Sequence, residues 1–225
     1  MVGQGSSSHP HRGGAVLMAG APLEKASGAI IALHGRGATA EDILALAAEV
    51  APPGVALLAP QAAGNTWYPY RFLEPFARNE PYLSSALQTV SGLIDQLLAR
   101  GIPAERIALL GFSQGACLAL ETATRNARRY GAVIGFSGGL IGPPGTTFDY
   151  DGSLAGTPVF IGSSDVDPHI PKERVEESAA ALRRLGGDVD AQLYAGMGHT
   201  VNRDELDRVR ALLAAALAPS AESRR

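Results

Sequence analysis

One cysteine in 225 residues, two lysines against 17 arginines, and no long apolar run: the chain is defined first by what it lacks. A lone Cys117 excludes an intrachain disulfide, and no paired Cys/His spacing marks a zinc site. No stretch approaches the ~20 consecutive apolar residues of a membrane-spanning helix. The opening M-V-G-Q-G-S-S-S-H-P-H-R-G-G holds no apolar segment of the kind an export signal carries. Net charge is only -3, so there is no basic field to attract nucleic acid. Charged residues make up 18 % and hydrophobic ones 46 %, which rules out disorder for the body of the chain. The arginine skew has no functional reading and is a compositional bias. The expectation is a soluble cytoplasmic protein without metal, cofactor, nucleic-acid partner or membrane insertion. Its oligomeric state is open, a homodimer included.

What is there suffices for one domain, since a chain of this length buries roughly 70 % of its unfolded surface. Residues 1–14 read as a flexible, tag-like tail that includes His9 and His11. Residues 15–218 read as a single domain, and 219–225 as a second tail. Within the domain, short apolar runs alternate with helical patterns. Strands are expected at 29–33, 55–59, 107–110, 132–136, 159–161 and 189–194. Helices are expected at 41–50, 82–100, 114–129, 171–185 and 203–217. The run A-I-I-A-L at 29–33 is apolar throughout, as in a strand covered on both faces. Two irregular stretches, 60–81 and 138–156, interrupt the alternation. This order predicts an α/β fold: a mostly parallel central sheet with helices on both faces and functional loops at the carboxyl ends of the strands.

The pattern G-x-S-x-G occurs twice, at 111–115 (G-F-S-Q-G) and 135–139 (G-F-S-G-G). The chemistry needs the serine at the tip of a sharp turn from strand into helix. Ser113 has that setting, with I-A-L-L before it and A-C-L-A-L-E-T-A-T after it. Ser137 is followed by G-G-L-I-G-P-P-G, which cannot be helical, and reads as a loop serine. Ser113 is therefore the candidate nucleophile. A serine hydroxyl needs a positioned base. His199 follows the last strand between Gly196-Met197-Gly198 and the last helix, the late position that a Ser–acid–His order requires. His34 reads as structural and His169 as a loop residue between two prolines. The acid lies in S-S-D-V-D-P-H-I-P, where Asp165 and Asp167 are both available, and the other one forms the turn. Backbone N–H groups of Gln114 and Arg36 are the expected oxyanion donors. The Arg36 side chain reads as a solvated charge. Cys117 lies inside the helix after Ser113 and reads as a small buried residue, against a thiol nucleophile of the dienelactone hydrolase kind.

Five of the 13 aromatic residues fall between 67 and 76. Two readings stay open: Trp67, Tyr68 and Tyr70 wall a substrate pocket, or the aromatics pin a proline-rich loop to the body. There is no long apolar lid.

The segments L-H-G-R-G-A-T (33–39), A-P-Q (59–61), W-Y (67–68), G-F-S-Q-G-A (111–116), G-S-S-D-V-D-P-H-I-P (162–171) and G-M-G-H (196–199) resemble, in order, the phospholipase/carboxylesterase family of α/β hydrolases, which includes acyl-protein thioesterase-like enzymes. The likeness runs from about residue 14 to 217. It implies an α/β-hydrolase fold without a large lid domain, and a cofactor-free serine esterase acting on small-molecule esters of small to medium acyl chains, with thioesters also in range. It implies a triad of Ser113, His199 and Asp167, the family's acid being the Asp before Pro, and oxyanion donors at Arg36 and Gln114. Ser163-Ser164 stands where the family carries His-Gly, and Ile170 where it carries Val. The same fold also serves acyltransferases, lyases and non-catalytic binding proteins.

Overall fold

Strand β2 (Gly28–Leu33) has no polar side chain, and every residue in it is buried. Successive side chains leave a strand on opposite faces, so both faces need cover. Ala29, Ile31 and Leu33 pack on one side beneath α3 (Tyr82–Ala99) and α4 (Gln114–Arg125), in a core that α5 (Lys172–Arg184) extends over β6 (Pro158–Ser164) and β7 (Asp188–Tyr194). Ile30 and Ala32 pack on the other beneath α1 (Ala40–Val50) and α6 (Arg203–Ala216). Each such Ile or Leu contributes roughly 1.5–3 kcal/mol when fully buried. In this computed structural model residues 9–217 are described. The tail expected at 219–225, and residues 1–8 of the one expected at 1–14, lie outside them.

Among the described residues seven strands form one sheet in the order β1-β3-β2-β4-β5-β6-β7. β3 is Val55–Pro60, β4 Ile107–Phe112 and β5 Ala132–Phe136. All pairs are parallel except β1 (Val16–Gly20) against β3. The chain runs outward from β2 to β3, then returns to place β4 on the other side of β2. That reversal opens a crevice at the carboxyl ends of β2 and β4, where open α/β sheets bind ligands. The mostly parallel sheet with helices on both faces is the expected architecture, and no separate lid domain stands over it among the described residues.

Three local expectations are corrected. Strand β1 was not foreseen: it is a largely exposed antiparallel edge and shows no periodic apolar signal. Helix α4 ends at Arg125 rather than 129, because Asn126 directs both its backbone N–H and its side-chain amide to the Thr122 carbonyl. His11 is not a loose tail residue. It is buried, its Nε2 lies 2.9 Å from the Trp67 carbonyl, and its Nδ1 accepts the Ala63 N–H at 3.1 Å. An amide can only donate, so Nδ1 is the bare nitrogen and Nε2 carries the proton. Burial lowers the His11 pKa and favours this neutral form.

Candidate active site

Ser113 sits between β4 and α4 with φ 54° and ψ -118°, a left-handed conformation that costs a serine about 1–3 kcal/mol. Neighbouring backbone holds it there. Its N–H donates to the Phe136 carbonyl at 2.9 Å, and its own carbonyl accepts from Cys117 N–H at 3.0 Å. The flanking glycines are required by crowding. A Cβ on Gly111 would run into the carbonyl of Gly115, and one on Gly115 into the carbonyl of Leu33. Sharp as it is, this turn raises the hydroxyl off the sheet and aims the start of α4 at the same point.

His199 Nε2 lies 2.8 Å from Ser113 Oγ, and its Nδ1 lies 2.7 Å from Asp167 Oδ2. Beside a carboxylate, Nδ1 carries the ring proton, which leaves Nε2 free to accept from the serine. The Asp167 side chain is fully buried, and its other oxygen accepts the N–H groups of His169 (2.8 Å) and Ile170 (3.1 Å). Asp165 takes the other part. Its Oδ1 accepts Gly196 N–H at 2.8 Å, which anchors the glycine loop that carries His199. Ser164 does the same work from β6: its Oγ accepts Gly198 N–H at 3.1 Å. The Ser164 half of the departure noted in the sequence thus anchors the loop of His199, while the buried Ser163 hydroxyl has no partner among the described residues. Ser137, the second motif serine, is buried and donates to the Thr200 carbonyl at 3.3 Å. It braces the residue after the base and does not face a ligand.

Gly35 and Phe112 pack beside Ser113, since a Cβ on Gly35 would lie 3.2 Å from the Phe112 ring and 3.5 Å from Ser113 Cβ. Arg36 and Gln114 line the same cavity as Ser113, and among the described residues neither backbone N–H has an acceptor within the chain. Their side chains do something the sequence did not suggest. Gln114 Oε1 accepts Trp67 N–H at 2.8 Å while its Nε2 donates to the Tyr68 carbonyl at 2.8 Å. The Arg36 side chain is exposed, as expected of a solvated charge, but its guanidinium also donates to the Pro69 and Tyr70 carbonyls at 2.8 and 2.6 Å. Asn79, on the short helix α2 (Phe76–Asn79), accepts Tyr70 N–H and donates to the Arg71 carbonyl. His34 is structural as expected: its Nε2 accepts Ala62 N–H, its Nδ1 lies 2.7 Å from the Gly35 carbonyl, and burial lowers its pKa.

Two cavities meet at the site. One, of about 300 Å³, contains Ser113, Gln114 and His199 and is closed by Tyr68, Phe72 and Ile170. The other, of about 260 Å³, reaches His199 from the α1 side over Ile43, Leu46 and Val201. Of the three aromatics expected to wall the pocket, only Tyr68 does so. Trp67 is wholly buried and donates its indole N–H to the His34 carbonyl at 2.9 Å. Tyr70 is exposed and stacks under Arg78, 4.2 Å from the guanidinium carbon. Trp67 serves the pinning reading, whereas the Tyr70 ring, among the described residues, contacts only its own loop. Cys117 also lines the larger cavity, but burial pushes its thiol up to about 12, so it holds no thiolate at neutral pH.

A sequence model of phospholipase/carboxylesterase matches residues 17–217. The chain belongs to the phospholipase/carboxylesterase family. Among solved structures, it is similar to a phospholipase/carboxylesterase from Dyadobacter fermentans at 44 % identity and a TM-score of 0.86, over 89 % of this chain and 96 % of that one. It is similar to esterase PE8 at 28 % identity and a TM-score of 0.73, over 89 % and 97 %. Among curated relatives, acyl-protein thioesterase 1 of Gibberella zeae is 38 % identical over 132 residues, 56 % of this chain and 55 % of that one. The chain spans about half the length of the curated relatives it matches. As a member of this family the chain shows one feature that sequence reasoning missed. His169, read as a plain loop histidine, lines the Ser113 cavity and packs edge-on against His199, ring centres 4.9 Å apart. Its place two residues after Asp167 was the available signal. No helix among the described residues is long and apolar enough to cross a membrane.

Proposed function

We propose that this family member is a serine hydrolase of carboxylic esters, thioesters included, acting through an acyl-enzyme on Ser113. The observation that carries the reading is the continuous relay from Ser113 Oγ through His199 to Asp167, with contacts of 2.8 and 2.7 Å. His199 Nε2 takes the hydroxyl proton as Ser113 Oγ bonds to the acyl carbon. The former carbonyl oxygen becomes an oxyanion between the N–H groups of Arg36 and Gln114, at the positive end of the α4 dipole. Collapse breaks the bond to the alcohol or thiol, which leaves with the proton from His199. Water then repeats the sequence and releases the acid. Asp167 keeps the imidazole in the Nδ1–H form and offsets its charge when both nitrogens are protonated. None of these steps requires a cofactor. The reading extends to esters of small to medium acyl chains, since the cavity at Ser113 is about 300 Å³.

A fluorophosphonate probe tests it. The native chain should be labelled on Ser113, and Ser113→Ala should not be labelled. Labelling elsewhere, or hydrolysis of p-nitrophenyl acetate that survives Ser113→Ala, overturns the mechanism.

A further inference from the structure

The two cavities differ in sign of charge. The one at Ser113 is lined by Arg36, Arg71 and His169, and no Asp or Glu lines it. Asp167, the carboxylate behind it, is buried and fully engaged with His199 and two backbone N–H groups. Arg36 is held by two carbonyl oxygens, which orient the guanidinium without neutralising it. Arg71 makes a single long bond, 3.4 Å to the His169 carbonyl, and is exposed. Elsewhere Arg78, Arg125, Arg174, Arg203, Arg208 and Arg210 reach carboxylates, whereas Arg128, Arg129, Arg183 and Arg184 bond backbone carbonyls. Among the described residues, neither arginine on the nucleophile's cavity reaches a carboxylate. The cavity on the α1 side is lined by apolar side chains and carries the Asp42 carboxylate. This cationic pocket sits in a chain whose net charge is -3, so it is a local field and not a share of a basic surface.

The chemistry assigns the halves of the substrate. An acyl group is bonded to Ser113 and extends from it, whereas the leaving group receives its proton from His199. The cavity that holds Ser113 and Gln114 is therefore the acyl side, and the cavity that touches His199 but not Ser113 is the leaving-group side. We propose that the preferred substrate carries an anionic group on its acyl half, as in a monoester of a short dicarboxylic acid with an apolar alcohol or thiol, and that Arg71 is the specificity residue that recognises it. This inference rests on the serine hydrolase reading above. Arg71 can offer a carboxylate two parallel N–H donors, and Asp42 disfavours the reverse orientation.

The test compares monoethyl glutarate with ethyl pentanoate, which match in acyl length and differ in the terminal charge, by acid release in a pH-stat. The native chain should favour the monoester about tenfold or more in kcat/KM, the range that a charge-assisted hydrogen bond supports. Arg71→Gln should collapse this ratio, chiefly through KM on the monoester, and Arg71→Lys should keep part of it. Raising the salt concentration should also reduce the native ratio. Equal rates on the two esters, or a preference that Arg71→Gln leaves intact, overturns the proposal while leaving the hydrolase reading in place. Absence of turnover on both esters, together with no fluorophosphonate labelling of Ser113, overturns both.

Discussion

Two turns in this molecule share the pattern G-F-S-x-G, end adjacent parallel strands in register (Gly111 beside Gly135, Phe112 beside Phe136), and hold their serine at positive φ, 54° and 49°. Only one carries the proposed nucleophile. After Ser113 the chain enters a 12-residue helix, and the hydroxyl meets His199 Nε2. After Ser137 come two glycines packed against Ala116 and Arg174, and the hydroxyl is buried on the Thr200 carbonyl. A strained serine between glycines is thus a way to turn the chain sharply at a strand end. It becomes a catalytic group when a helix start and a base converge on it. The second turn still serves the first, because it braces the residue that follows the base.

Ser113→Ala should lower turnover by at least about 10³-fold with the fold intact, whereas Ser137→Ala should leave most of the turnover and cost roughly 1 kcal/mol of stability for one buried hydrogen bond. Urea unfolding alongside an ester assay checks both, and similar activity losses in the two variants would erase the distinction between the turns. The aspartates form a parallel pair. Asp167→Asn should cost about 10²–10⁴-fold in kcat, while Asp165→Asn, whose amide oxygen can still accept Gly196 N–H, should cost far less. The opposite ranking would transfer the acid's role to Asp165.

A further effect, on stability alone, concerns Glu205, which caps α6. Its carboxyl accepts Asn202 N–H, its other oxygen has no partner and faces Gly162, and burial pushes its pKa up to about 7. A carboxyl with a raised folded pKa favours folding while protonated, and this contribution is lost as pH rises from the unfolded value toward 7 and above. Between pH 4.5 and 8 the native chain should therefore lose roughly 2–3 kcal/mol relative to Glu205→Gln, the upper end being the unscreened value. Parallel pH–stability curves for the two chains would refute the shift.

Much of this was legible in the sequence because the chemistry resides in local patterns. Most of the parallel strands are short apolar runs, Ser113 follows one directly, and His199 follows the alternating strand β7 after a short glycine loop. The choice of Asp167 over Asp165 rested on family resemblance, since both lie in one loop and only the folded chain shows which reaches the imidazole. The edge strand β1 was missed because one partner and an exposed face leave little apolar signal. His11 was missed because burial supplied by Trp67 and Tyr82, far away in sequence, cannot be seen in the residues beside it. The aromatic segment misled in a similar way. Trp67 holds the loop, Tyr70 is exposed, and Tyr68 faces the cavity.

The residue after the proposed nucleophile is a clasp, whatever its backbone N–H donates to. Through its side chain, Gln114 accepts the Thr66 hydroxyl and the Trp67 N–H and donates to the Tyr68 carbonyl, in the very segment whose Tyr68 closes the cavity at Ser113. Cavity wall and reaction centre are thereby one mechanical unit. A loop transplanted from a relative to change acyl preference will disturb the nucleophile unless it offers the Gln114 amide an equivalent donor and acceptor, so redesign of selectivity here has to begin from position 114 and not from the aromatic rings.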